Sequence, residues 1–147
     1  MKSKILFLGL SVLILSCSTT RMIRENYYGN KIVDEKRILI PSGALINAAD
    51  IIENDVKYTL GLTSNNEIKY VSTNDTKFKI EGLSVNMELS HIKSHEEVRN
   101  IKGWGYFFKT NSDWYAAFDF KEKPNSNSKI LFFFRYEFAK SSTNIFE

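Results

Sequence analysis

The ten residues Lys129–Phe138, KILFFFRYEF, constrain the fold more than any other stretch of the chain. Every position from Ile130 to Phe134 is apolar. Successive side chains of a strand point to opposite faces, so a strand of this kind needs cover on both sides. At a sheet edge the same run would be a template for aggregation. The segment therefore demands a central place in a sheet, and a sheet with a centre needs several other strands.

Those strands are readable. Lys36–Ile40 is a short β candidate that stops at Pro41-Ser42-Gly43. Ala44–Glu53 is ambiguous between helix and strand, and the second half reads better as the first arm of a hairpin turning at Glu53-Asn54-Asp55. In Val56–Thr63, Val56, Tyr58, Leu60 and Leu62 alternate with Lys57, Thr59, Gly61 and Thr63, the period of a half-buried strand. Glu67–Thr73 returns after Ser64-Asn65-Asn66, and Lys77–Ile80 is a short strand before Gly82. Trp104–Thr110 and Trp114–Lys121 form a hairpin across Asn111-Ser112-Asp113, and a polar loop at Lys123–Ser128 leads into the last strand.

One helix is expected at Asn86–Lys93, with Asn86 as N-cap, Glu88 in the first turn and Leu89 and Ile92 on a shared face. The fold class expected is thus α+β: mainly an antiparallel β-meander sheet with one short helix packed on a face. It occupies residues 32–140 as a single domain, followed by a polar tail at 141–147.

The N-terminus carries a different message. Lys2 and Lys4 precede the uncharged run Ile5–Leu15 and the small Ser16, the layout of a secretory signal. As a helix those eleven residues span about 16 Å. A membrane core of about 30 Å is too thick for them to cross. Ile14-Leu15-Ser16-Cys17 resembles the lipobox of bacterial lipoproteins. The resemblance implies cleavage after residue 16 and a diacylglyceryl group on the thiol of Cys17, the chain's only cysteine. Residues 17–31 then form a lipidated tether, and the lipid bilayer is the first partner. Ser18, rather than Asp, after the cysteine resembles the outer-membrane default of Gram-negative lipoproteins, which places the protein in the bacterial cell envelope.

Cleavage also changes the charge. The chain holds 20 Lys+Arg against 17 Asp+Glu, and losing Lys2 and Lys4 leaves 18 against 17. A net charge so close to zero gives no argument for nucleic acid. With Cys17 acylated, neither a disulfide nor a thiol nucleophile is available.

Catalytic patterns are incomplete. His91 and His95 are the only histidines, spaced four apart as ligands on one helix face would be. They lack the HExxH context and a third histidine, which leaves them weak metal candidates. Gly82-Leu83-Ser84-Val85-Asn86 lacks the final glycine of a nucleophile elbow. Gly103-x-Gly105 runs into Tyr and Phe, unlike a dinucleotide loop. No cofactor is expected, and a hydrolase using His91, His95 or an acidic pair ranks below a non-catalytic role.

The strongest binding candidate is Gly103–Phe120, which holds two Trp, two Tyr and four Phe in eighteen residues. Alternation puts Trp104, Tyr106 and Phe108 on one face of the first arm, with Phe107 and Lys109 opposite. The second arm has Trp114, Ala116, Phe118 and Phe120 on one face, with Tyr115, Ala117 and Asp119 on the other. The face of large aromatics suits a core. The mixed face, with Phe107 and Tyr115, suits an exposed platform for sugar rings, and Trp104 and Trp114 are further stacking candidates.

KYVSTNDTKFKIEGLSVNMELSHI, and GWGYFFKTNSDWYAAFDF followed by KILFFFRYEF, resemble stretches of small bacterial envelope proteins of uncharacterised role. The resemblance spans about Val56–Phe138 and implies one domain without implying an activity. The function expected is an envelope lipoprotein serving as a structural, interaction or accessory module. The alternative is a module that binds glycan or peptidoglycan fragments.

Overall fold

The structure, a computed structural model, describes residues 32–64, 67–93 and 97–136. Cys17, the tether, His95 and the 141–147 tail lie outside the described residues.

The described residues form ten strands: β1 (Ile32–Leu39), β2 (Leu45–Glu53), β3 (Val56–Leu62), β4 (Ile68–Thr73), β5 (Lys79–Ile80), β6 (Leu83–Ser84), β7 (Arg99–Ile101), β8 (Gly105–Lys109), β9 (Tyr115–Ala117) and β10 (Phe132–Tyr136). Eight of them make one sheet in the order β1-β2-β3-β4-β10-β9-β8-β7, while β5 and β6 pair separately. All the pairings are antiparallel. Two meanders, β1 to β4 and β7 to β10, are therefore zipped together by β10 against β4. The end of the apolar run takes a central place in the sheet: Phe133 faces one side and Phe134 the other, both almost fully buried, while Ile130 and Leu131 precede the strand and Leu131 is exposed.

The tight connection from β2 to β3 is made by Asn54 and Asp55 at φ 49° and 63°. Two consecutive residues at positive φ match the right-handed twist of a hairpin.

The fold class differs from the α+β expectation in its helix. Among the described residues there is no α-helix, only a 3₁₀ turn at Leu89–His91. Asn86 does not cap a helix. It sits at φ 68°, in the left-handed region. The amides of this segment bond instead to the approach to β10: Asn86 N–H to Ile130 O at 2.8 Å, Leu89 N–H to Ser128 O at 2.9 Å and Ser90 N–H to Ser126 O at 2.9 Å. The Ile130 amide returns a bond to Met87 O at 3.0 Å. Lateral pairing has displaced the helical i to i−4 ladder, a tertiary override of a weak local preference. Ile92 joins the core and Leu89 packs against it, from the 3₁₀ turn and the residue after it rather than from an α-helix face.

The excursion between β4 and β7 covers one face of the sheet. Phe78, Leu83, Val85 and Ile92 from it, with Ile130, pack over Ala49, Ile51, Leu60, Val71, Phe108, Ala116 and Phe133. Phe78 is the plug, with its ring 4.9 Å from Trp114 and 5.2 Å from Phe133. Glu81 latches this cover to the β8–β9 turn. Its carboxylate accepts the Ser112 amide and hydroxyl, both at 2.6 Å, and the Asn111 amide at 3.2 Å.

The opposite face carries a second apolar cluster of Ile40, Tyr70, Phe107, Ala117 and Phe134, with Ile38 and Ile46 against it. Gly61 lets the β1–β2 end fold over this face: a Cβ there would stand 2.6 Å from Ile46 Cδ1 and 3.0 Å from Tyr70 Cβ.

Candidate functional site

A cleft of about 420 Å³ opens on the second face. Its floor follows from strand register. Asp50 of β2 lies opposite Thr59 of β3, and Thr59 lies opposite Ser72 of β4. Period-two alternation then puts Lys57, two residues before Thr59, on the same face. Lys36 of β1 joins them through Ala48, its partner in β2, which lies two residues from Asp50. Tyr70, Asn74, Leu131 and Phe132 complete the walls.

Asp50 is the centre of the cleft and is 2% exposed. Its Oδ1 accepts from Lys36 Nζ at 2.6 Å and from the Thr59 hydroxyl at 2.6 Å, and its Oδ2 accepts from Lys57 Nζ at 2.8 Å. Burial pushes the carboxyl pKa up, but the two ammonium groups and the hydroxyl outweigh it, so Asp50 titrates below 3.8. The Asp50 carboxylate in turn raises the pKa of Lys57. Both lysine side chains stay partly at the surface, at 38% and 49% exposure. Burial holds the Tyr70 phenol up at about 12, against a hydrogen bond with Ser72 that lowers it, so the phenol is neutral at pH 7. The arrangement is a rigid carboxylate presenting two solvated cations, with hydroxyls and an aromatic wall beside them.

The residues picked from sequence lie elsewhere. Trp114 is fully buried under Phe78 on the covered face, out of reach of any ligand. Trp104 does not share a face with Phe108 as alternation predicted. Gly103 and Gly105, at φ 85° and 95°, break the pleat at the start of β8, and the indole packs against Tyr70 and Phe134 of the second face. The expected second arm also ends early, at Ala117, and Phe120 is 70% exposed rather than in the core.

Phe107 is buried, with its ring edge-on to Tyr115 at 5.5 Å and to Phe134 at 5.7 Å. Tyr115 is half-buried and stacks on Phe134 at 5.0 Å and on Tyr136 at 5.3 Å. Trp104, Phe107 and Tyr115 thus converge around Phe134. Phe107 and Tyr115 also line a second cleft of about 290 Å³ with Arg99, Ile101, Lys109 and Tyr136. His91 is exposed on the 3₁₀ turn, and its candidate metal partner His95 falls outside the described residues.

Comparison with protein-family models, curated proteins and solved structures gives no match for the chain.

No sequence motif marks the Asp50 cleft, because its parts come from five separate strands and the loops beside them. One signal did exist. In Ala48–Ile52, AADII, Asp50 is the one polar residue. A carboxylate there is either at an edge or buried on cations.

Proposed function

We propose that this chain is a lipid-anchored envelope protein, held through Cys17, whose β domain is a non-catalytic binding or interaction module using the Asp50 cleft. The anchor reading is supported by the Ile14-Leu15-Ser16-Cys17 segment at the end of an apolar leader, and the outer-membrane placement by Ser18. The observation that carries the binding reading is the open cleft built on a carboxylate that is 2% exposed. A sheet face needs no such group for its own stability: apolar replacements of buried ion pairs are often neutral or stabilising. Perturbed titratable groups set in a cleft are candidates for function.

The test is affinity capture from native envelope with the lipidated full chain, wild type against Lys36→Gln/Lys57→Gln. The binding reading expects an envelope component retained by the wild type and lost by the variant. Identical capture by both would remove the cleft from the account.

A second reading, glycan binding, is favoured by the half-buried Tyr115 ring in the smaller cleft, where it stands beside Arg99 and Lys109. Sugars would then quench tryptophan fluorescence through the nearby Trp104, and Tyr115→Ala would abolish the effect without unfolding the domain.

A further inference from the structure

We propose that the Asp50 cleft binds the phosphate group of a phosphorylated ligand between the Lys36 and Lys57 ammonium groups. This rests on the reading of the cleft as the binding site and adds the chemistry of what enters it.

Hydrogen-bonding capacity decides the class. Asp50 is the strongest acceptor in the cleft, but both of its oxygens are already engaged. Thr59 gives its proton to Asp50, and Thr73 gives its own to the Lys57 carbonyl. An ammonium group has three N–H donors and no acceptor. Lys36 and Lys57 each direct one toward Asp50, which leaves two apiece for a ligand at the mouth. The exposed Asn74 amide adds donors at the rim. What the cleft still offers is mainly donors, and its complement is rich in acceptors.

Charge points the same way. The lining residues carry two cations and one anion. Asp34, opposite Asp50 across the strands, does not line the cleft, although its charge acts on Lys57, and Asp75 turns its carboxylate to the Lys57 and Lys77 amides. Lysines act as separate point charges, which suits a tetrahedral phosphate better than the planar carboxylate that arginine grips with two parallel bonds. Because Asp50 already holds both ammonium groups in place, a ligand has less side-chain freedom to freeze. Phe132 and Leu131, the latter 45% exposed, add an apolar wall for the scaffold that carries the phosphate.

The phosphate has two possible sources, a lipid headgroup and a soluble phosphorylated compound. The experiment uses the lipidated full chain in phosphatidylcholine nanodiscs, titrated calorimetrically with inorganic phosphate and with glycerol 1-phosphate. Both are expected to bind and to compete with each other. Lys36→Gln and Lys57→Gln should each weaken binding about tenfold or more, the loss of one charge-assisted hydrogen bond. Lys36→Arg and Lys57→Arg should recover part of the affinity, and Lys121→Gln, on an exposed loop, should leave it unchanged. Repeating the titration with phosphatidylglycerol in the disc assigns the source. Competition of the soluble phosphates by the disc identifies the headgroup, and an unchanged isotherm identifies a soluble ligand.

No phosphate binding by the wild type, or equal binding by the folded Gln variants, overturns the proposal. A neutral sugar that binds in the cleft with no effect of phosphate would also overturn it while leaving the cleft as the binding site. An envelope capture that ignores both lysines would remove the binding-site reading itself.

Discussion

Replacing Asp50 with Asn tests how this sheet tolerates a carboxylate in its second face. Asn keeps the shape and one oxygen to accept the Thr59 hydroxyl, which lies at 2.6 Å. It loses the charge that holds Lys36 at 2.6 Å and Lys57 at 2.8 Å. A fully buried pair broken on one side costs about 3–5 kcal/mol, because a charge is stranded. Here no charge is stranded: the lysine side chains are 38% and 49% exposed and can turn to water. Two half-exposed pairs, at up to about 1 kcal/mol each, set the scale. The expected loss at pH 7 is therefore about 1–2 kcal/mol, read as a lower urea midpoint at unchanged slope.

The pH dependence has a definite sign. The folded pKa of Asp50 lies below 3.8, so its stabilisation is complete above that value and is lost as pH falls through the folded pKa. The gap between wild type and Asp50→Asn should be constant from about pH 5 to pH 8 and close in stronger acid. A variant as stable as the wild type at pH 7, or a gap that persists unchanged well below the folded pKa, would refute the electrostatic account of Asp50.

Four further outcomes follow from the packing and the leader. Gly61→Ala should destabilise by about 1–3 kcal/mol in thermal melts, because its Cβ would meet Ile46 Cδ1 at 2.6 Å and Tyr70 Cβ at 3.0 Å. Trp114→Ala should cost about 3–5 kcal/mol, as for a large aromatic lost from a core, and any effect on ligand binding should track unfolding. Glu81→Gln should loosen the β8–β9 turn, seen as faster amide exchange at Asn111 and Ser112. In the wild type, burial raises the Glu81 pKa but the Ser112 and Asn111 donors pull it below 4.5, so the latch should weaken only as pH falls through that lowered value. Cys17→Ala should abolish fatty-acid labelling and leave uncleaved precursor, and labelling of the mutant would sink the anchor.

Local pattern reported the strands well and the cover poorly. The alternation in Val56–Thr63 is a property of a single strand and the structure follows it, and of the apolar run at Ile130–Phe134 the last three residues lie in the central strand β10. The segment from Asn86 to Lys93 has helix-compatible spacing, yet its amides bond to residues about forty positions away, which no local period records. Trp104 shows a second limit. Alternation holds only while the pleat holds, and two glycines at positive φ, one on each side of the indole, interrupt it.

The Asp50 cleft shows a third limit. Lys36, Asp50, Lys57, Ser72 and Phe132 become neighbours only through strand register, so the sequence displays them as scattered polar and apolar residues. The aromatic hairpin was conspicuous because its residues are contiguous, and much of that aromatic mass proves to be packing around Phe78 and Phe134.

Lysine footprinting in the native envelope tests the central claim most directly. Acylation rates of individual lysines are measured by mass spectrometry in intact envelope and in the purified lipidated protein. If the cleft is occupied in its native setting, Lys36 and Lys57 should react several-fold more slowly in the envelope, while the exposed Lys79 and Lys121 react equally in both. Equal rates at Lys36 and Lys57 in the two preparations would contradict a binding role for the cleft.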